Sequence, residues 1–180
     1  MRFACFILAI LTAIAPACAE PLTFLALASV RDEVRYERFV EAVEPIWRRH
    51  GMRVIARMAL EDADYHDAIF IAVDSREGFN AYIADPDYKA IAKDRIEAVD
   101  ALVILEGPSS SLNVPGPDAL VSVVFMPDCA GVQSGMEVSL VAPVKGGVSE
   151  PVENAGCVGI LSADDAVFGP VTTGFSARVR

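Results

Sequence analysis

The sequence predicts an α+β fold: a ferredoxin-like β-α-β-β-α-β unit followed by a β-rich C-terminal extension. Three observations lead there. Apolar runs of strand length at 22–30, 52–60, 68–73 and 101–106 alternate with two helical patterns in the order of the split βαβ unit. The stretch GPSSSLNVPGPD, 107–118, then interrupts the chain with Gly, Pro and Ser. Beyond it come short strand-like runs between Gly- and Pro-containing turns, with no convincing amphipathic helix.

The first strand is LTFLALASV. The first helix runs from about Asp32 to His50, because Tyr36, Val40, Val43 and Trp47 recur at spacings of four, three and four. Phe39 and Ile46 widen that stripe, and Gly51 sits where a left-handed residue ends a helix. Pro45 is expected to kink the last turn or start a new helix. MRVIARMAL, 52–60, alternates as a half-buried strand, with Arg53 and Arg57 sharing the polar face. The acidic turn EDADYHD leads into AIFIAV, a continuous apolar run that suits a central strand. Asp74 and Glu77 have capping-box spacing and open a second helix. It ends near Ala84, and Asp85-Pro86 restarts it with Asp85 as N-cap. ALVILE closes the unit. Both helices fall on one sheet face, so the other face must meet a second subunit or the rest of the chain.

The N-terminus has Met1-Arg2, an apolar run from Phe3 to Ala15, and Ala17-Cys18-Ala19, the pattern of a cleavable signal peptide. The expected destination is the periplasm or the exterior. The rival reading, lipidation of Cys18, is disfavoured by Ala15, where such sites usually want Leu. Removing 19 of 180 residues leaves 161, enough to bury about 70% of the unfolded surface. The expected division is signal peptide 1–19, ferredoxin-like domain 20–107, linker 108–118 and β-rich region 119–180. The whole chain carries a formal charge of −10, and loss of Arg2 makes it one unit more negative. So acidic a protein repels nucleic acid and anionic membrane. Beyond the leader no apolar run is long enough to span a bilayer, so no stable membrane insertion is expected after cleavage. Cys5 and Cys18 leave with the leader. Cys129 and Cys157 remain as a candidate disulfide in an oxidising compartment, against the alternative of two buried free thiols.

AIFIAV, DSREGFNAYIADPDYKAIAKDR and ALVILEG, with Phe79, Tyr82, the Asp85-Pro86 break, Tyr88 and Arg95, form one pattern between about Leu22 and Gly107. In that pattern the chain resembles the dimeric α/β-barrel superfamily, and within it the branch called domain of unknown function 1330. The resemblance implies that two such units pair their sheets into a closed barrel, hence a homodimer through the sheet face. Wider relatives include small monooxygenases, haem-degrading enzymes and decarboxylases that use the cavity between sheet and helices. Their catalytic residues differ, so the fold transfers no activity. This chain departs from the pattern by its leader and by its β-rich tail, which could cover the same sheet face itself.

Few residues offer chemistry. His66 and Tyr82 are the weak candidates for acid–base work, with a hairpin-turn role the plainer reading of His66. His50 ends the first helix, where a cation suits the dipole. Tyr36, Trp47 and Tyr88 read as core aromatics or as the wall of a ligand cavity. Arg53 and Arg57 are either solvated or placed to hold a carboxylate. The run Glu61, Asp62, Asp64 and Asp67 lacks EF-hand order and reads as a solvated turn. No metal site is expected, no cofactor is predicted, and nothing specific favours haem. Two functions are expected to compete. One is an exported module that binds a small apolar or carboxylate ligand or a protein partner. The other is a small cavity enzyme, of oxygenase or isomerase type, acting on a hydrophobic molecule. A purely structural role for the tail is the third reading.

Overall fold

A computed structural model describes residues 20–61, 63–108, 112–130, 135–146, 150–162 and 173–180. The leader expected at 1–19 lies outside the described residues, as do 109–111 of the expected linker. The first half follows the expected order: β1 (Leu22–Val30), α1 (Glu33–Arg49), β2 (Met52–Glu61), β3 (Asp67–Val73), α2 (Arg76–Ala84), α3 (Pro86–Ala98) and β4 (Val99–Pro108). The second half adds β5 (Leu120–Met126), β6 (Gly135–Glu137), β7 (Ser139–Lys145), the four-residue α4 (Glu150–Glu153), β8 (Cys157–Leu161) and β9 (Thr173–Val179).

Local chemistry explains most boundaries. Asp32 caps α1 by accepting from Arg35 N, and its apolar face, Tyr36, Phe39, Val43, Ile46 and Trp47, is buried. Gly51 takes φ +68 after the helix. Two expectations are corrected. Pro45 starts no new helix, since α1 runs through it to Arg49. The N-cap of α2 is Ser75, accepting from Gly78 N, rather than Asp74. Asp85 does cap α3, accepting from Asp87 N, with Pro86 opening that helix.

The strand order is β6-β8-β5-β9-β2-β3-β1-β4-β7, with every pairing antiparallel. β6 and β7 stand at opposite ends of that order, yet only Val138 separates them in sequence. They are one bent strand that pairs with β8 through Gly135–Glu137 and with β4 through Ser139–Lys145. The sheet therefore closes into a barrel. At the closure, a Cβ on Gly107 of β4 would stand 2.0 Å from the Glu137 carbonyl oxygen, so only glycine fits.

The two halves have the same plan. In the first, the fourth strand lies beside the first, then the third, then the second. In the second, β9, β5, β8 and the β6–β7 strand repeat that order. The halves meet twice by equivalent contacts, β2 with β9 and β4 with β7. The tail is thus a second ferredoxin-like half without long helices among its described residues. The inner sheet face is covered by the chain itself. Pairing of two subunits through that face, as expected above, is corrected on this ground: the face is already occupied, and a homodimer must use another surface.

Alternation assigns the two sides of β1–β4. Leu25, Leu27, Ala68, Phe70, Val103 and Leu105 point inward and pack with Val121, Val123, Phe125, Val158 and Ile160 of the tail. An eight-stave barrel is just wide enough for side chains to fill. Phe24, Ile69, Ile71 and Val73 point outward, under α1, α2 and α3. On the rim, Lys145 Nζ donates to the carbonyls of Ile96 and Val99, fastening β7 to the C-terminus of α3. Cys129 and Cys157 form a disulfide that closes a sequence separation of 28 residues.

Candidate functional site

The helices do not seal against the outer sheet face. Between them lies a cavity of about 40 Å³. Phe24 and Ala26 of β1, Ile69 and Ile71 of β3, and Leu102 and Ile104 of β4 form its floor. Tyr36, Phe39 and Trp47 of α1 and Phe79 and Tyr82 of α2 form its walls. The one charged side chain in the lining is Arg95 of α3. Arg95 is held from several sides: its Nη2 donates to Tyr88 Oη at 2.6 Å, and its guanidinium lies 5.5 Å from the Phe39 ring centroid and 5.6 Å from that of Tyr88. Its Nε is buried with no hydrogen-bond partner among the described residues. The Trp47 indole N–H makes no hydrogen bond of good geometry there, but it lies toward the Tyr82 hydroxyl and draws its pKa down. Burial, and then the neighbouring Tyr88, push the Tyr82 hydroxyl well above its ordinary pKa, so it is a neutral phenol. Tyr88 packs against Tyr82 with ring centroids 4.3 Å apart, one layer behind the lining.

A second pocket, of about 250 Å³, adjoins the first at Tyr36. It is polar, lined by Glu33, Glu37, Arg57, His66, Asp67 and Arg180 besides Tyr36 and Val30. Asp67 is only 3% exposed. Its carboxylate accepts from Arg57 Nε at 3.0 and 3.2 Å and from the Tyr36 hydroxyl at 3.1 Å. Arg57 then grips Glu37 with both terminal nitrogens, at 2.7 Å each. Burial raises the pKa of Asp67 despite Arg57, whereas the hydrogen bonds from Arg57 lower that of Glu37. Burial, and next the charge of Asp67, push the Tyr36 phenol far up.

The expected site residues divide. Tyr36, Trp47 and Tyr82 come together in the cavity, with Tyr88 behind them. Arg53 and Arg57 do not share a face. Residue 55 is an extra residue in the β2–β3 pairing, so Arg53 pairs with Ala72 and Arg57 with Ile69, on opposite sides of the sheet. Arg53 stays exposed beside Asp74, at 3.5 Å, while Arg57 turns under α1. His66 is exposed, and its Nδ1 accepts from the Val30 amide at 3.0 Å. Asp67 is not part of a solvated turn, because it opens β3 beneath Tyr36. His50 caps α1 and meets Asp85 at 2.6 Å. Arg95, Asp67 and Glu37 are further site residues not expected from the sequence. A spacing of seven places Arg95 two turns beyond Tyr88, which is a same-face signal. Among the described residues no group of three or more His, Cys, Asp or Glu could hold a metal ion. No helix there is long and apolar enough to cross a membrane.

Fold and site together define the class: the first half is a ferredoxin-like α+β unit with a cavity between its helices and the sheet. Residues 24–108 match the family model described as Domain of unknown function (DUF1330). No curated protein matches the chain. Among solved structures it is similar to a dimeric ferredoxin-like protein of unknown function from Thermobifida fusca, with 18% identity, 51% of this chain and 92% of that chain covered, and a TM-score of 0.41. It is similar to a variant of SnoaB, a cofactor-independent oxygenase from Streptomyces nogalater, with 17% identity, 54% and 100% covered, and a TM-score of 0.41. It is also similar to an anthrone oxidase-like protein, with 12% identity, 89% and 92% covered, and a TM-score of 0.49.

Proposed function

We propose that the protein is exported and binds a small apolar molecule carrying one oxygen acceptor, in the cavity between the helices and the sheet. The observation that carries this reading is the buried, unpartnered Arg95 Nε in a largely apolar lining. A buried donor without a partner costs about 1–3 kcal/mol, which a ligand oxygen would recover. A phenol, carbonyl or carboxylate supplies such an oxygen. A cavity that takes benzene is about 150 Å³, so binding requires Phe79 and Tyr82 on the short helix α2 to move aside and enlarge this one. Homodimerisation belongs to the same reading, on the outer surface.

Trp47 is the only tryptophan in the chain, so its emission reports on this cavity alone. Titration with small phenols and aromatic carboxylates should change that emission saturably. Arg95→Ala should weaken binding by about tenfold or more. A panel that leaves the emission unchanged would refute the reading. For export, mass spectrometry of protein from the host envelope should find Glu20 as the first residue. A chain retaining residues 1–19 in the cytoplasm would refute that part.

One observation favours the enzymatic alternative, an oxygenase or isomerase acting on the same kind of molecule. A phenolic hydroxyl from the cavity wall, that of Tyr36, is bonded to a buried carboxylate.

A further inference from the structure

Among the described residues Tyr36 is the only side chain that lines both the apolar cavity and the polar pocket. It is 3% exposed, and its hydroxyl donates to Asp67, which is equally buried. Arg95, the charged group of the cavity, lies close enough to Tyr36 to draw its pKa down against the opposing effect of burial. We propose that Tyr36 and Asp67 form a proton outlet for the cavity, serving an apolar ligand with a weakly acidic hydroxyl, a phenol or an enol. This rests on the ligand-binding reading above.

The transfer balances without any further reagent. The ligand O–H bond breaks and its proton joins Tyr36 Oη. The proton that Tyr36 held moves along the existing hydrogen bond to Asp67 Oδ2. Tyr36 ends as it began, a neutral phenol. The ligand becomes an oxyanion facing the Arg95 Nε donor. Before transfer, Asp67 and Glu37 balance Arg57 and Arg180, which lies 3.2 Å from Glu37. After transfer that cluster carries one net positive charge, beside the new anion. The transfer weakens the attraction between Asp67 and Arg57 and replaces it with attraction between the new oxyanion and Arg95 in the cavity lining. Asp67 suits the task of acceptor because burial already raises its affinity for a proton.

The test uses 3-nitrophenol in a weakly acidic buffer, where the free molecule is neutral and its phenolate is coloured. Two quantities are read on the mature protein: the phenolate band, and protons released, from calorimetry in buffers of different ionisation enthalpy. The expected result is a phenolate band on binding with no proton released, since Asp67 keeps it. Asp67→Asn and Tyr36→Phe should both bind and both lose the band. The outlet is overturned by binding without a band, by a band accompanied by one proton per ligand in the buffer, or by undiminished bands in both variants. Trp47 emission separates the two failures: no emission change removes the ligand reading, and the outlet with it, whereas binding without the band removes the outlet alone.

Discussion

Replacing Arg57 by leucine should destabilise the protein in a way that depends on pH. Arg57 is 16% exposed in its side chain and Asp67 3%, so the variant strands a nearly dry carboxylate. Removing one partner of a buried pair typically costs about 3–5 kcal/mol. The lower end applies here, because Arg57 is not wholly buried and Arg180 stands 3.9 Å from Asp67 as a partial substitute. The pKa of Asp67 is already raised by burial in the folded protein, and loss of Arg57 raises it further. The folded state then holds the proton to higher pH than the unfolded chain does. The penalty is therefore complete above the folded pKa and shrinks as pH falls towards the unfolded value of about 3.9. Urea denaturation of Arg57→Leu and wild type, followed by circular dichroism, should show a gap of about 3 kcal/mol at neutral pH that narrows in mild acid. Adding Asp67→Leu should restore much of it, since an apolar pair of similar volume is often neutral. A gap under about 1 kcal/mol, or one that does not move with pH, would contradict the account of Asp67 given above.

Three further outcomes follow from other parts of the barrel. Cys129→Ala with Cys157→Ala opens a loop of 28 residues and should lower stability by about 3.5 kcal/mol in the chain-entropy estimate, read as a shifted denaturation midpoint. Gly107→Ala drives a Cβ to 2.0 Å from the Glu137 carbonyl and should cost about 1–3 kcal/mol by thermal melting; a neutral effect would place the closure elsewhere. Asp85 has its pKa lowered to about 2, first by its hydrogen bond with His50. Its contribution is complete above the unfolded value of about 3.9 and disappears as pH falls through about 2, so Asp85→Asn should flatten that segment of the acid titration.

The sequence was most legible where periodicity acts over short range. The stripe that buries Tyr36, Phe39 and Trp47, the Asp85-Pro86 restart and the fully buried β3 all follow from local spacing. Two features escaped that logic. An extra residue at 55 reverses the parity of β2, so the spacing of four between Arg53 and Arg57 no longer means a shared face. Asp67 sits at the end of an acidic run, and composition alone made that run look solvated. Its partners, Tyr36 and Arg57, lie 31 and 10 positions away and are brought in only by the packing of α1 on β2 and β3. The barrel closure was illegible for the same reason. A short strand pair broken by one valine looks like a single ordinary strand until each half finds a different neighbour.

Closure within one chain changes what the tail is for. In a paired barrel the second half arrives from solution and its occupancy depends on concentration. Here covalent linkage gives the second half a fixed, high effective concentration. Among the described residues long helices flank only the first half, and the helix-covered cavity lies there. The second half reaches the adjoining polar pocket. Arg180 follows β9, its amide donates to the Arg57 carbonyl at 2.8 Å, and its guanidinium meets Glu37 at 3.2 Å. Glu37 fixes Arg57, Arg57 fixes Asp67, and Asp67 holds the Tyr36 hydroxyl. The strand that seals the barrel thus also braces the wall between the two pockets. Arg180→Ala should consequently loosen Tyr36 without unsealing the barrel, because the backbone pairing of β9 with β2 and β5 does not depend on that side chain.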